Sequence, residues 1–248
     1  LKSLQRRIEK IYNSRTLQNG DKILVSNKYT KELIHDYYDI ENEKISIIPN
    51  GTEVNNFYKA EKELKQIIFS GAMYYHRGID VLLESASNVI KKIPDVKFVL
   101  LGDGPELQKL KTSVEKMCLT ENIIFKGWVD RKEIPKYLAE SAIGIGPLRI
   151  TDVTKRALPI KVLEYMSSSL PILAINETLP DDVLRNGENG FFVDNSKELS
   201  QIMIKLLEDD ELRLKMGNKS REMVTKFDWQ KVAESIMHEY NTIISLSK

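Results

Sequence analysis

Val96–Met117 reads VKFVLLGDGPELQKLKTSVEKM, and this stretch decides the fold. Val96, Phe98, Val99, Leu100 and Leu101 form a nearly unbroken apolar run of strand length, the pattern of a strand covered on both faces. Gly102-Asp103-Gly104-Pro105 turns the chain. Leu107, Leu110, Val114 and Met117 then recur at helical spacing. The result is one strand, a glycine turn and one amphipathic helix.

The same unit repeats outward from this point. Upstream, Gln66–Ser70 reads as a strand, followed by a helix through Ile79, Leu82, Leu83, Ala86, Val89 and Ile90. Earlier still, Lys22–Ser26 is a short buried strand, 27–38 a helix and Ile45–Ile48 a strand. Pro49-Asn50-Gly51 closes this part with a turn in which Asn and Gly supply positive φ. Residues 1–17 place Leu1, Leu4, Ile8 and Ile11 on one helical face. Downstream, Ile123–Lys126 is a strand, and Ile134, Tyr137 and Leu138 lie on a helix opened by an Asp130/Glu133 capping box. Strands at 143–146, 171–174 and 190–193 complete the set, with a helix starting at Pro159. Asn195 and Glu198 form a second capping box before the closing helices. Alternating strands and helices of these lengths define an α/β fold, a Rossmann-like doubly wound parallel sheet. Ligands of such sheets lie beyond the carboxyl ends of the strands, at the point where strand order reverses.

Composition narrows the function. The 248 residues carry 37 basic and 36 acidic side chains, a net charge of +1, so no positive excess is available for nucleic acid. Cys118 is the only cysteine, which excludes an internal disulfide and fits a reducing cytoplasm. No apolar run is long enough to span a bilayer, and no signal peptide is visible. A helical pattern begins at Leu1 itself, so the chain reads as part of a longer protein.

Four loops follow the strand ends. Ser70-Gly71-Ala72-Met73-Tyr74-Tyr75-His76-Arg77-Gly78 offers a close backbone approach at Gly71 and a phosphate partner in Arg77, or else is a plain strand-to-helix turn. Gly102 and Gly104 mark a tight turn beside a ligand or another loop; the third glycine of a dinucleotide fingerprint is absent. At Gly127-Trp128-Val129, backbone groups read a base edge with Trp128 packed near it, or Trp128 caps the core. His35, His76 and His238 stand too far apart for a metal-ligand pattern and read as surface or structural histidines. The fourth loop brings Arg149, Lys155, Arg156 and Lys161 within 13 positions of one another, close to a helix N-terminus at Pro159. Unpaired first-turn amides and the helix dipole suit a phosphate there. Glu164, flanked by Val162, Leu163, Tyr165 and Met166, is a partly buried acid placed to meet ribose hydroxyls.

These segments, in this order, resemble the donor-binding half of retaining glycosyltransferases of the GT-B fold, in particular glycosyltransferase family 4. The resemblance rests on Ile47–Glu53 with Phe57, Ile68–Gly71 with Arg77–Leu83, Leu101–Pro105, Gly127–Val129, Pro159–Ala174, Asn186–Val193 and Phe227–Trp229. It implies residues 1–56 as a remnant of an N-terminal acceptor domain, 57–226 as a nucleotide-sugar-binding domain and 227–248 as a helix returning to the first domain. It implies a UDP- or GDP-linked sugar as donor, no metal or other cofactor, and a glycan or lipid-linked acceptor. Cytoplasmic location follows, with the amphipathic residues 1–17 packed inside the rest of the acceptor domain or else in peripheral contact with the inner membrane face. Arg77, Lys161 and Glu164 become the catalytic candidates. Gly71, Gly102, Gly104, Trp128, Val129, Arg156, Ile160 and Lys161 line the donor with Arg77 and Glu164.

Three departures stand out. Arg156 occupies the position where the family carries a first glutamate, eight residues before Glu164. Ala72 replaces a phosphate-binding arginine, leaving Arg156 or Lys161 to compensate. Most of the acceptor domain lies outside this sequence, so this piece is expected to bind donor and turn over poorly. A nucleotide-sugar epimerase, a non-catalytic nucleotide-binding module and an NAD-dependent enzyme are the alternatives.

Overall fold

The computed structural model describes residues 13–60, 65–151, 154–155 and 158–246. In chain order they form α1 (13–19), β1 (Ile23–Val25), α2 (Lys28–Tyr38), β2 (Ile45–Ile47) and β3 (Gln66–Ser70). Next come α3 (Ile79–Lys92), β4 (Lys97–Leu101), α4 (Leu107–Lys116), β5 (Ile123–Gly127), α5 (Ile134–Ala139) and β6 (Ile143–Ile145). The remainder comprises α6 (Ile160–Ser167), β7 (Ile172–Ile175), β8 (Gly190–Val193), α7 (Ser196–Glu208), α8 (Asp210–Val224) and α9 (Trp229–Leu246).

Two parallel sheets result. β1 and β2 pair alone over a small core of Val25, Ile40 and Ile45. The large sheet has the order β5-β4-β3-β6-β7-β8, parallel throughout. Strand alternation divides its residues between two cores. Ile67 and Phe69 with Phe98 and Leu100 face the α3, α4 and α7 side; Ile68 with Val99 and Leu101 faces α6. Strand order reverses between β3 and β6, so the loops leaving those two strands part company and open a crevice.

The two sheets meet through the chain crossings at 50–57 and 227–229. Thr52 donates its N–H to Phe227 O at 2.9 Å, and Trp229 N–H returns to Thr52 O at 3.1 Å. The ring of Trp229 lies so close to Gly51 that a Cβ there would stand 2.7 Å from it. Arg221 donates to Val54 O at 2.8 Å and also to Ser167 O, tying the crossing to the end of α6. α9 returns to the small sheet, where Glu239 pairs with Lys22 at 3.4 Å.

Three local expectations change. Pro49-Asn50-Gly51 contains no positive φ; Gly51 is there because the Trp229 ring occupies the space of a side chain. The Asp130/Glu133 capping box does not form. Asp130 Oδ1 accepts from Lys132 N–H at 2.9 Å in a local turn, and α5 starts later with Glu133 as an uncapped N-cap. β1 is buried only at Val25, since Leu24 is 41% exposed. The apolar face of residues 1–17 lies mostly outside the described residues. The second capping box holds in part: Asn195 Oδ1 accepts from Glu198 N–H, while Glu198 Oε2 accepts from the N–H of Asp194, one residue before the cap, at 2.7 Å.

Candidate functional site

The crevice between β3 and β6 gathers side chains from three chain segments. Pro159 is the N-cap of α6, one position ahead of the first-turn place expected for it, and Ile160 and Lys161 follow at once. The N–H groups of Ile160 and Lys161 find no backbone acceptor among the described residues. Asn50, from the crossing segment, donates its side-chain N–H to Leu158 O at 2.8 Å and so holds the entry to this helix.

Lys161 turns inward. Its Nζ stands 3.6 Å from the centroid of the Phe69 ring and is buried without a hydrogen-bond partner among the described residues. A cation on an aromatic face gains about 2 kcal/mol or more when desolvated, which partly offsets the loss of water. Burial, then the charge of Arg77, pushes the Lys161 ammonium well below the usual lysine range. Arg77 enters from a short 3-10 turn after β3, and burial, opposed by the Tyr165 phenol, lowers its guanidinium as well. His76 stacks on Tyr74 at 5.5 Å, and its imidazole is pushed down by burial, then by Arg77 and Lys161. This surface or structural histidine of the sequence reading therefore stands beside the two cations.

Glu164 lies one turn further along α6 and is 8% exposed. Burial raises its carboxyl above the usual range, against a lowering pull from Arg131. Its carboxylate makes no hydrogen bond among the described residues, and a buried acid in that state calls for donors such as hydroxyl groups. Tyr165, fully buried next to it, accepts the Ser70 N–H at 2.6 Å. The Tyr165 ring fills the space beside Gly144, where a Cβ would come within 2.7 Å.

The glycine loops serve one another. A Cβ at Gly102 would stand 2.2 Å from Gly71 O, and one at Gly104 would stand 2.7 Å from Met73 N. Met73 N–H donates to Asp103 O at 2.8 Å, closing loop against loop. Gly102 and Gly104 thus belong to a turn that abuts another loop and builds the crevice floor. Gly71 leaves room for the Lys161 stem, 3.7 Å from where its own side chain would begin.

Two of the four clustered cations are engaged elsewhere. Arg149 Nη2 pairs with Asp80 at 2.6 Å while its Nη1 donates to Tyr75 O, which latches the loop after β6 onto the one after β3. Lys155 pairs with Glu177 at 3.1 Å. Arg156 lies outside the described residues. Of the remaining loop, Trp128 is 78% exposed and does not cap the core, while the neighbouring Val129 packs against it. The sequence reading missed Asn50, Phe69, Tyr165 and Arg131. Only Tyr165 carried a local signal, as an aromatic directly beside the expected acid. Among the described residues no His, Cys, Asp or Glu group is arranged to hold a metal. No described helix is long and apolar enough to cross a membrane.

This geometry has counterparts. The Anabaena protein Alr3699/HepE, solved with UDP and glucose, superposes with a TM-score of 0.80 over 93% of this chain and 67% of its own, at 16% identity. That likeness defines the class: an α/β half of GT-B glycosyltransferase architecture. The family described as glycosyl transferases group 1 matches residues 51–223, and the chain belongs to it. An uncharacterized glycosyltransferase, MJ1178 of Methanocaldococcus jannaschii, is 25% identical over 91% of this chain and 60% of its own length. The poly(ribitol-phosphate) alpha-N-acetylglucosaminyltransferase of Staphylococcus aureus is 24% identical over 91% of this chain and 45% of its own. The chain thus spans about half the length of these curated relatives.

Proposed function

We propose that this chain is the donor-binding part of a retaining glycosyltransferase of family 4, which moves a hexose-type sugar from a nucleoside diphosphate to an acceptor. One observation carries the reading. At the switch point of the sheet, the buried Lys161 Nζ, with no hydrogen-bond partner among the described residues, lies beside Arg77 at the N-terminus of α6, with the buried acid Glu164 one turn away. Two basic side chains and the first-turn amides of α6 match a diphosphate, and a carboxylate one turn deeper matches the vicinal hydroxyls of a ribose. HepE, alike in fold, was solved with UDP, which supports a nucleoside diphosphate as the ligand.

In this mechanism Arg77, Lys161 and the α6 amides act on the leaving group. Cleavage of the sugar–phosphate bond places new negative charge on the diphosphate, and charges already in position stabilise it without reorganisation. Glu164 holds the nucleoside, and Phe69 and the abutting glycine loops keep the cations in place. Gly127–Val129 at the end of β5 offers backbone groups to the base, with Trp128 open beside them. In this reading residues 1–56 are a remnant of an acceptor domain and 227–248 the helix that returns to it, and the acceptor is a glycan or lipid-linked sugar. Calorimetric titration with UDP- and GDP-sugars tests this: one series binds and competes with its free nucleotide. Failure of every nucleotide and nucleotide sugar to bind overturns it.

A further inference from the structure

Lys161 poses a charge problem that its described neighbours do not solve. Its Nζ has no hydrogen-bond acceptor among the described residues, and the face of Phe69 is its one described cation–π contact. The titratable groups around it are few. Arg77 and His76 face it from the turn after β3. On its own helix, the Tyr165 phenol is committed to Ser70 N–H, and the Glu164 carboxyl is under the pull of Arg131. From α8, Arg221 reaches the far end of α6 at Ser167, and Lys136 of α5 lines an outer groove with Arg131. β6 and β7 carry no titratable side chain. No described carboxylate pairs with Nζ, and the described charge acting on it, Arg77, is positive.

We propose that the crevice takes up a proton when it takes up a diphosphate, and that Nζ of Lys161 receives it. This rests on the nucleoside-diphosphate reading above and adds a protonation step to it. With no anion bound, burial and Arg77 both act against the ammonium form, so Nζ holds its proton less tightly than an exposed lysine does. An entering diphosphate reverses both conditions: its oxygens accept from the N–H groups, and its charge outweighs that of Arg77. The balance is simple. A solvent acid gives one proton to the lone pair of the amine, and no bond of the nucleotide breaks. Diphosphate affinity therefore increases as pH falls through the range in which the empty crevice sheds this proton, by at most about tenfold per pH unit.

The test is calorimetry of the chain with UDP and with GDP at one pH in buffers of different ionisation enthalpy, with uridine and guanosine as controls. Linkage predicts uptake of up to about one proton beyond that of the nucleosides. His76→Gln keeps that uptake. Lys161→Met loses it, as does Lys161→Arg, which holds a permanent charge and decides the matter alone if the methionine variant does not fold. Equal proton uptake in the parent chain and the Lys161 variants overturns the proposal and leaves the binding reading standing, as does uptake that disappears in His76→Gln instead. If neither nucleotide binds, both readings fall.

Discussion

The Tyr165 hydroxyl accepts the backbone N–H of Ser70 at 2.6 Å, so the helix that carries Lys161 and Glu164 is fastened to the strand that opens the Gly71 loop. Both partners are buried, and the bond spans 95 residues of chain. The two halves of the crevice are thereby set in register before any ligand arrives. Tyr165→Phe should leave the Ser70 N–H buried without an acceptor and cost about 1–3 kcal/mol of stability. Urea unfolding measures it; an unchanged midpoint would show that the hydroxyl is dispensable.

Glu164→Ala should weaken nucleotide binding by about 1–3 kcal/mol, the loss of a carboxylate that meets ribose hydroxyls. The matching 2′,3′-dideoxynucleotide should bind both proteins equally. Undiminished affinity for the full nucleotide in Glu164→Ala removes the residue from the pocket.

Arg77→Ala should reduce affinity for UDP or GDP far more than affinity for uridine or guanosine. Equal losses for diphosphate and nucleoside would make Arg77 a support of the loop. Titration of both ligands against one variant separates the two outcomes.

Lys161 and Glu164 both give the empty protein a pH signature. The Lys161 ammonium sits below its unfolded range, so between the folded and unfolded values the unfolded chain binds the extra proton and stability rises with pH. The Glu164 carboxyl is raised, so its protonated form favours the folded state, and stability is lost as pH climbs through the folded value. Thermal melts of Lys161→Met should therefore flatten the alkaline rise, and those of Glu164→Gln the fall above the usual carboxylate range. Curves that overlay the parent's would contradict both burials.

Asn50→Ala should loosen the start of α6 by removing a bond to Leu158 O, at a cost of about 0.5–1.5 kcal/mol. Hydrogen exchange at Val162 and Leu163 reports on it, and protection equal to the parent's would leave Asn50 with no role in positioning the helix.

The order of elements was legible in the sequence because each strand is a short apolar run and each helix repeats its apolar face. Gln66–Ser70 and Gly190–Val193 came out at their observed bounds. The acid and the lysine of α6 were legible as polar residues interrupting an apolar helix. Where two local devices competed, the sequence could not choose: Asp130 closes its own turn instead of capping α5. Chain proximity also misled at the cation cluster, since Arg149 and Lys155 found carboxylates distant in sequence.

What the sequence determined by itself is the alternation of apolar strands and amphipathic helices, since periodicity is a property of neighbours along one chain. Tertiary structure alone decided which cation turns inward, which glycine gives way to a loop and which to the Trp229 ring, and that Lys161 meets Phe69 and no anion among the described residues. Burial and Coulomb interaction depend on distances between remote segments, and those distances exist only once the sheet has assembled.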